Sequence, residues 1–120
     1  MNKPLIFALL TPAALQSAET SSVDFARDVQ PLLAARCVVC HGPQRSAGNL
    51  ALHTRETALK VGDSGSPGIV PGKPEESEVF LRLVTNDHSE QMPRGGPLAP
   101  EQIVKIKQWI SSGAPWSSPS

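Results

Sequence analysis

The chain has 120 residues, enough for one domain and short for two. Eleven basic and eleven acidic side chains balance, and no basic stripe runs through any segment, so nucleic acid is excluded as an expected partner. Two tryptophans, three phenylalanines and no tyrosine are little material for a self-sufficient core, and a bound apolar group would supplement it.

Met1-Asn2-Lys3 is a short, weakly basic start, followed by an almost wholly apolar run over residues 4–15. A run of about a dozen suits the ~7–15 of a secretory signal core and falls short of the ~20 of a membrane span. Cleavage is expected after Ala18, although Gln16 two places earlier is not small. The division is therefore a signal peptide at 1–18 and one domain at 19–120, exported, with the periplasm as the expected compartment. Cleavage would remove Lys3 alone, leaving ten basic against eleven acidic side chains and no stable membrane span. The competing reading is a buried N-terminal helix, which Pro4, Pro12 and the lack of an amphipathic period oppose.

The first predicted helix covers residues 28–35, with Asp28 as its cap and Pro31 in its first turn, where a missing N–H costs little. A short second helix starts at Thr54 and ends before Gly62. A third begins at Pro74, where Glu75 and Glu76 favour the positive end of the helix dipole, and Val79, Phe80, Leu83 and Val84 recur at helical period. The last runs over residues 100–112, with Ile103, Ile106 and Ile110 on one stripe and Gly113 as a stop. No alternating strand of useful length is present, so the predicted class is all-α, a small helical domain with long loops. The loops over 42–53 and 62–73 are long for such a domain and make sense if they wrap a cofactor.

Between the first two helices lies Cys37-Val38-Val39-Cys40-His41. Cys-x-x-Cys-His is the attachment signature of c-type haem. Two thiols three residues apart can reach two vinyl groups on one side of a porphyrin, and the adjacent histidine offers Nε2 to the iron. The expected cofactor is one covalently bound haem c, held by Cys37, Cys40 and His41.

Three other readings fit less well. A Cys37–Cys40 disulfide leaves His41 without a role. A thiol–disulfide exchange pair belongs in a βαβ setting that the pattern lacks. Zinc would match Cys37, Cys40 and His53 but finds no fourth ligand where Thr57, Ala58 and Leu59 stand.

For the second axial position, Met92 is the one methionine left after signal removal. It lies in Gln91-Met92-Pro93-Arg94-Gly95-Gly96, too polar and too rich in glycine and proline for core filler. His53 and His88 are the alternatives. His/Met ligation raises the reduction potential relative to His/His. Arg45, Arg55 and Arg94 are candidates to neutralise haem propionates. The glycine-rich Gly62-Asp63-Ser64-Gly65-Ser66-Pro67-Gly68 fits neither a dinucleotide fingerprint nor a phosphate loop. No catalytic acid, base or nucleophile is assigned.

Several separated segments resemble the planctomycete-type cytochrome c domain, a branch of the class I cytochromes c. They are Phe25-Ala26-Arg27-Asp28-Val29-Gln30-Pro31-Leu32-Leu33, then Cys37 to Gly42-Pro43, Gly62-Asp63-Ser64-Gly65, and Ile69-Val70-Pro71-Gly72-Lys73-Pro74-Glu75-Glu76-Ser77. Met92-Pro93, Trp109-Ile110 and Gly113-Ala114-Pro115-Trp116 complete a likeness over residues 23–116. The resemblance implies a class I fold in which the first and last helices pack beside the haem. It also implies His41 proximal, Met92 distal, and Trp109 as a wall of the haem pocket. Three positions depart from the family's pattern: Arg94 stands for a proline, His53 for an aspartate, and Ala99 for a capping threonine, the last costing ~1 kcal/mol of local helix stability.

The expected function is one-electron transfer to transient redox partner proteins, so the chain is expected to be a carrier and not an enzyme. The alternatives are a haem enzyme or gas sensor with Met92 displaced by peroxide, oxygen or nitric oxide, and an interaction module that haem merely stabilises.

Overall fold

The computed structural model describes residues 23–117, and the first helical turn is capped by Asp24, whose carboxylate accepts from the Arg27 N–H at 2.7 Å. One π-helical turn, Phe25–Val29, runs directly into α1 (Gln30–Arg36). Helix thus starts a turn earlier than the sequence predicts, and Asp24, not Asp28, caps it. Pro31 supplies the reason for the π turn. Its ring crowds the carbonyl four residues back and it has no N–H, so a wider turn before it avoids both faults. Asp28 instead binds the Arg27 guanidinium at 2.7 Å and Lys105 at 3.3 Å. The Arg27 hydrogen bond, followed by that of the Asp24 N–H, holds its carboxyl well below the usual carboxylate range.

α2 (Arg55–Ala58) is capped by Thr54, which accepts from the Thr57 N–H at 3.2 Å. A 3-10 turn at Pro74–Glu76 precedes α3 (Glu78–Val84). The predicted third helix is therefore broken at Ser77. That side chain is fully buried; its Oγ accepts from the Val70 N–H at 2.8 Å and donates to the Lys73 carbonyl at 2.9 Å. These bonds satisfy loop groups that a continuous helix would have left unpaired.

α4 (Pro100–Ser111) is close to prediction and ends at Gly113, whose φ of 105° suits glycine. Ala99 offers no oxygen to the turn, but Gln102 Oε1 accepts from the Ala99 N–H at 2.9 Å, half of a capping box.

α4 buries Ile106, Trp109 and Ile110. Trp109 meets Phe25 at 5.6 Å between ring centroids, and Trp116 closes the cluster at 4.6 Å from Phe25 and 5.7 Å from Trp109. The indole N–H of Trp109 donates to the Pro115 carbonyl at 2.7 Å, so a buried polar atom is satisfied. The first and last helical segments therefore do pack together, through Phe25 and Trp109. Leu33, Val79, Leu83 and Leu98 extend this core toward the rest of the chain.

Among the described residues there is no β-strand, only isolated bridges at His41–Ser46 and Val61–Pro67. The described part is helical with long loops, in line with the all-α expectation. None of its helices is long and apolar enough to cross a membrane. The expected signal peptide at 1–18 lies outside the described residues.

Candidate functional site

Past Arg36 the chain leaves α1 without breaking away. The N–H groups of Cys37 and Val38 both donate to the Leu33 carbonyl, at 3.0 and 2.8 Å, and those of Cys40 and His41 both donate to the Cys37 carbonyl, at 3.2 and 2.8 Å. This tight winding places the two cysteines and the histidine on one wall. Gly42 is required next, because a Cβ there would strike the Val38 carbonyl. The chain then reverses, and Leu52 N–H donates to the His41 carbonyl at 2.6 Å.

Cys37, Cys40 and His41 line a cavity of about 710 Å³, within the ~300–1,000 Å³ typical of sites for small molecules and cofactors. Met92 and Pro93 line it from a segment some fifty positions along the chain. Leu50, Leu52, Val79 and Leu83 supply apolar wall, and Gly62, Asp63, Ser64 and Ser66 complete it. Both long loops therefore contribute to the lining.

The histidine's tautomer is fixed. His41 Nδ1 lies 3.1 Å from the Leu50 carbonyl oxygen, which can only accept. Nδ1 therefore carries a proton, and in the neutral ring the lone pair lies on Nε2, the atom a metal would take. Burial pushes the Cys37 thiol up to about 11, with Arg36 opposing the shift weakly. Cys40 is exposed, and Arg45 Nη1 stands 3.9 Å from its sulfur. Neither cysteine is in a disulfide.

Four arginines, Arg36, Arg45, Arg82 and Arg94, and two carboxylates, Asp63 and Glu78, line the same cavity. Glu78 is engaged by Arg82, so the cavity's electrostatic balance favours an anionic group. Sequence reasoning named Arg45 and Arg94 but missed Arg36 and Arg82, because nothing local in the sequence points to their partners. Arg55 lies elsewhere: it donates to the carbonyls of Ala114 and Gly113, at 3.2 and 3.3 Å, and braces the turn after α4. Trp109 also belongs elsewhere. It is buried in the aromatic core and does not line the cavity, so it is not a pocket wall.

The other histidines are not brought to this place. His88 is exposed on a loop. His53 borders a separate space of about 210 Å³ with Phe25, Leu33 and Trp116, and its Nδ1 is buried without a hydrogen-bond partner. His53 thus stands apart from the two cysteines, and no three His, Cys, Asp or Glu side chains cluster for a metal ion among the described residues. Of the three alternative ligands, only Met92 shares the cavity with His41.

A family model, Planctomycete cytochrome C, matches residues 37–96, half of the chain. The chain belongs to the planctomycete cytochrome c family. That membership makes it a haem-binding cytochrome. The matched stretch begins at Cys37 and ends at Gly96, and so takes in both His41 and Met92. No curated protein and no protein of solved structure matches this cytochrome.

The residues present fit haem c on their own chemistry. They offer two unpaired thiols, an imidazole with Nε2 available, a thioether, apolar walls and arginines for carboxylates, all around one space of suitable size.

Proposed function

We propose that this cytochrome is an exported monohaem electron carrier with His41 and Met92 as axial ligands. The observation that carries the reading is the convergence of Cys37, Cys40, His41 and Met92 on one apolar-walled cavity. When bound, haem c supplies a single iron that alternates between Fe(II) and Fe(III).

The chain's own residues do the rest. Cys37 and Cys40 provide thioether links, which fix the group without relying on affinity. The Leu50 carbonyl orients the His41 ring through the Nδ1 proton. Met92 contributes a soft, neutral ligand that favours the reduced state. Leu50, Leu52, Val79 and Leu83 exclude water from the faces of the group, and the loops over 42–53 and 62–73 wrap it in a class I arrangement. Arg45 is the candidate partner for a propionate, since the one hydrogen bond its guanidinium makes among the described residues is to the Cys40 sulfur, at 3.9 Å. No side chain is assigned a proton-transfer role. Redox partners would dock transiently near Val39, which is 73% exposed beside Cys40.

The reading is tested by expressing the full chain with a haem-attachment system and measuring its mass under denaturing conditions. One haem retained through both cysteines is expected, with a reversible one-electron titration. Haem lost on denaturation, or a chain that takes up none, would contradict the proposal.

A further inference from the structure

The segment that carries Met92 has little packing to hold it. No residue between Leu83 and Leu98 is buried, and Gly95 and Gly96 add backbone freedom. What holds it is a set of arginine-to-carbonyl hydrogen bonds. On the side before Met92, α3 does the work: the Met92 N–H donates to the Arg82 carbonyl at 3.1 Å, and Arg82 Nη1 donates to the Glu90 carbonyl at 3.3 Å. Arg94 Nη1 closes the loop on itself through the Ser89 carbonyl at 2.8 Å. On the side after Met92, Arg36 Nη2 donates to the Gly96 carbonyl at 2.8 Å.

Arg36 differs from the other two. It is the last residue of α1, directly before Cys37, and its bond to Gly96 crosses 60 positions of sequence. It is half-buried and lines the cavity. One side chain thus joins the segment that carries His41 to the segment that carries Met92. We propose that Arg36 is a positioning residue that straps the Met92 loop across the cavity and sets how readily Met92 leaves the iron, an inference that rests on Met92 being the sixth ligand.

The physical argument is one of populations. An external ligand binds iron only in molecules whose methionine has swung away, so its apparent affinity scales with that fraction. Hydrogen bonds from charged donors are among the stronger ones, and this one is partly shielded from water. Without it the arm after Met92 keeps only bonds internal to the loop, Gly96 N–H to the Pro93 carbonyl at 3.1 Å and Arg94 Nη1 to the Ser89 carbonyl at 2.8 Å. The anchors on α3 and the aromatic core remain, so the change is confined to the loop.

The test uses ferric holoprotein and azide. Arg36→Ala should bind azide about tenfold more tightly than wild type, equivalent to ~1.4 kcal/mol, and lose part of its sulfur-to-iron charge-transfer band. Arg36→Lys, which keeps the charge and a donor, should recover part of both. Unchanged azide affinity with an intact sulfur band overturns the strap. So does a shifted midpoint potential at unchanged azide affinity, which assigns the guanidinium to charge compensation alone. A wild-type spectrum without the sulfur band overturns the Met92 reading, and the strap with it. If Arg36→Ala does not fold, Arg36→Met, which keeps the apolar stem but has no donor, decides by the same azide titration. It should bind azide more tightly than wild type and lose part of the sulfur band, and wild-type affinity with an intact band overturns the proposal.

Discussion

Phe25, Trp109 and Trp116 stack with ring centroids 4.6 to 5.7 Å apart, and Ile106 and Ile110 close around them with almost no exposure. Leu50, Leu52, Val79 and Leu83, by contrast, turn apolar surface toward a space of about 710 Å³, and the chain around that space is tied by arginines to carbonyls. The first region completes its own packing. The second has the walls of a core and needs a guest to become one. The described chain therefore gathers three of its four aromatics, Phe25, Trp109 and Trp116, in one place and leaves the other to be filled by a group that is not protein.

The largest expected effect comes from denying the second region its guest. Without it Leu50, Leu52, Val79 and Leu83 turn apolar surface to water, at ~25 cal/mol per Å², in a domain whose total stability is only ~5–15 kcal/mol. The Cys37→Ala, Cys40→Ala double variant without haem should therefore be largely unfolded, with collapsed amide dispersion. A well-dispersed amide spectrum would show that the aromatic region folds the chain alone, and the contrast between the regions would fail.

Trp109→Ala attacks the first region. A fully buried indole with a satisfied N–H should cost ~3–5 kcal/mol, read in denaturant melts of the holoprotein. Because Trp109 does not line the cavity, the haem spectrum of the surviving folded fraction should be unchanged. A large spectral change would return Trp109 to the pocket and merge the two regions.

The smallest effect is electrostatic and sits on the flank of the aromatic region. Asp28 has its carboxyl lowered by Arg27 first, then by the Asp24 N–H and by Lys105. A lowered folded-state value means its stabilisation is complete above the unfolded value of 3.8 and is lost as pH falls from there toward the lower folded value. Asp28→Asn should flatten the acid limb of the stability curve below about pH 4 while leaving the neutral haem spectrum alone. An unaltered acid limb would remove Asp28 from the account.

The comparison of regions also explains what could be read from the sequence. Cys37, Cys40 and His41 stood out because they lie within five consecutive residues, and Met92 because no other methionine remains after the expected cleavage; the structure brings all four to one cavity. The helix over 100–111 was legible from its isoleucine stripe. The start of the first helix was misplaced because Pro31 forces a π turn, and a period of 3.6 does not reveal a five-residue reach. The break at Ser77 was hidden because it depends on carbonyls and amides of a loop, at Val70 and Lys73, that no side-chain pattern announces. Trp109 was assigned to the wrong region because an aromatic on a buried helix face fits either one. Arg36 and Arg82 were missed for a related reason: their partners are backbone atoms of Gly96 and Glu90, and any residue type supplies a carbonyl.

The central claim is that His41 and Met92 meet on one iron. Redox-resolved absorption spectra and a potentiometric titration of wild type and Met92→Ala holoprotein test it most directly. The account predicts low-spin, sulfur-ligated iron in wild type, and in the variant the loss of the sulfur band, an open or water-ligated site and a lower reduction potential. A Met92→Ala protein with the spectrum and potential of wild type would contradict it.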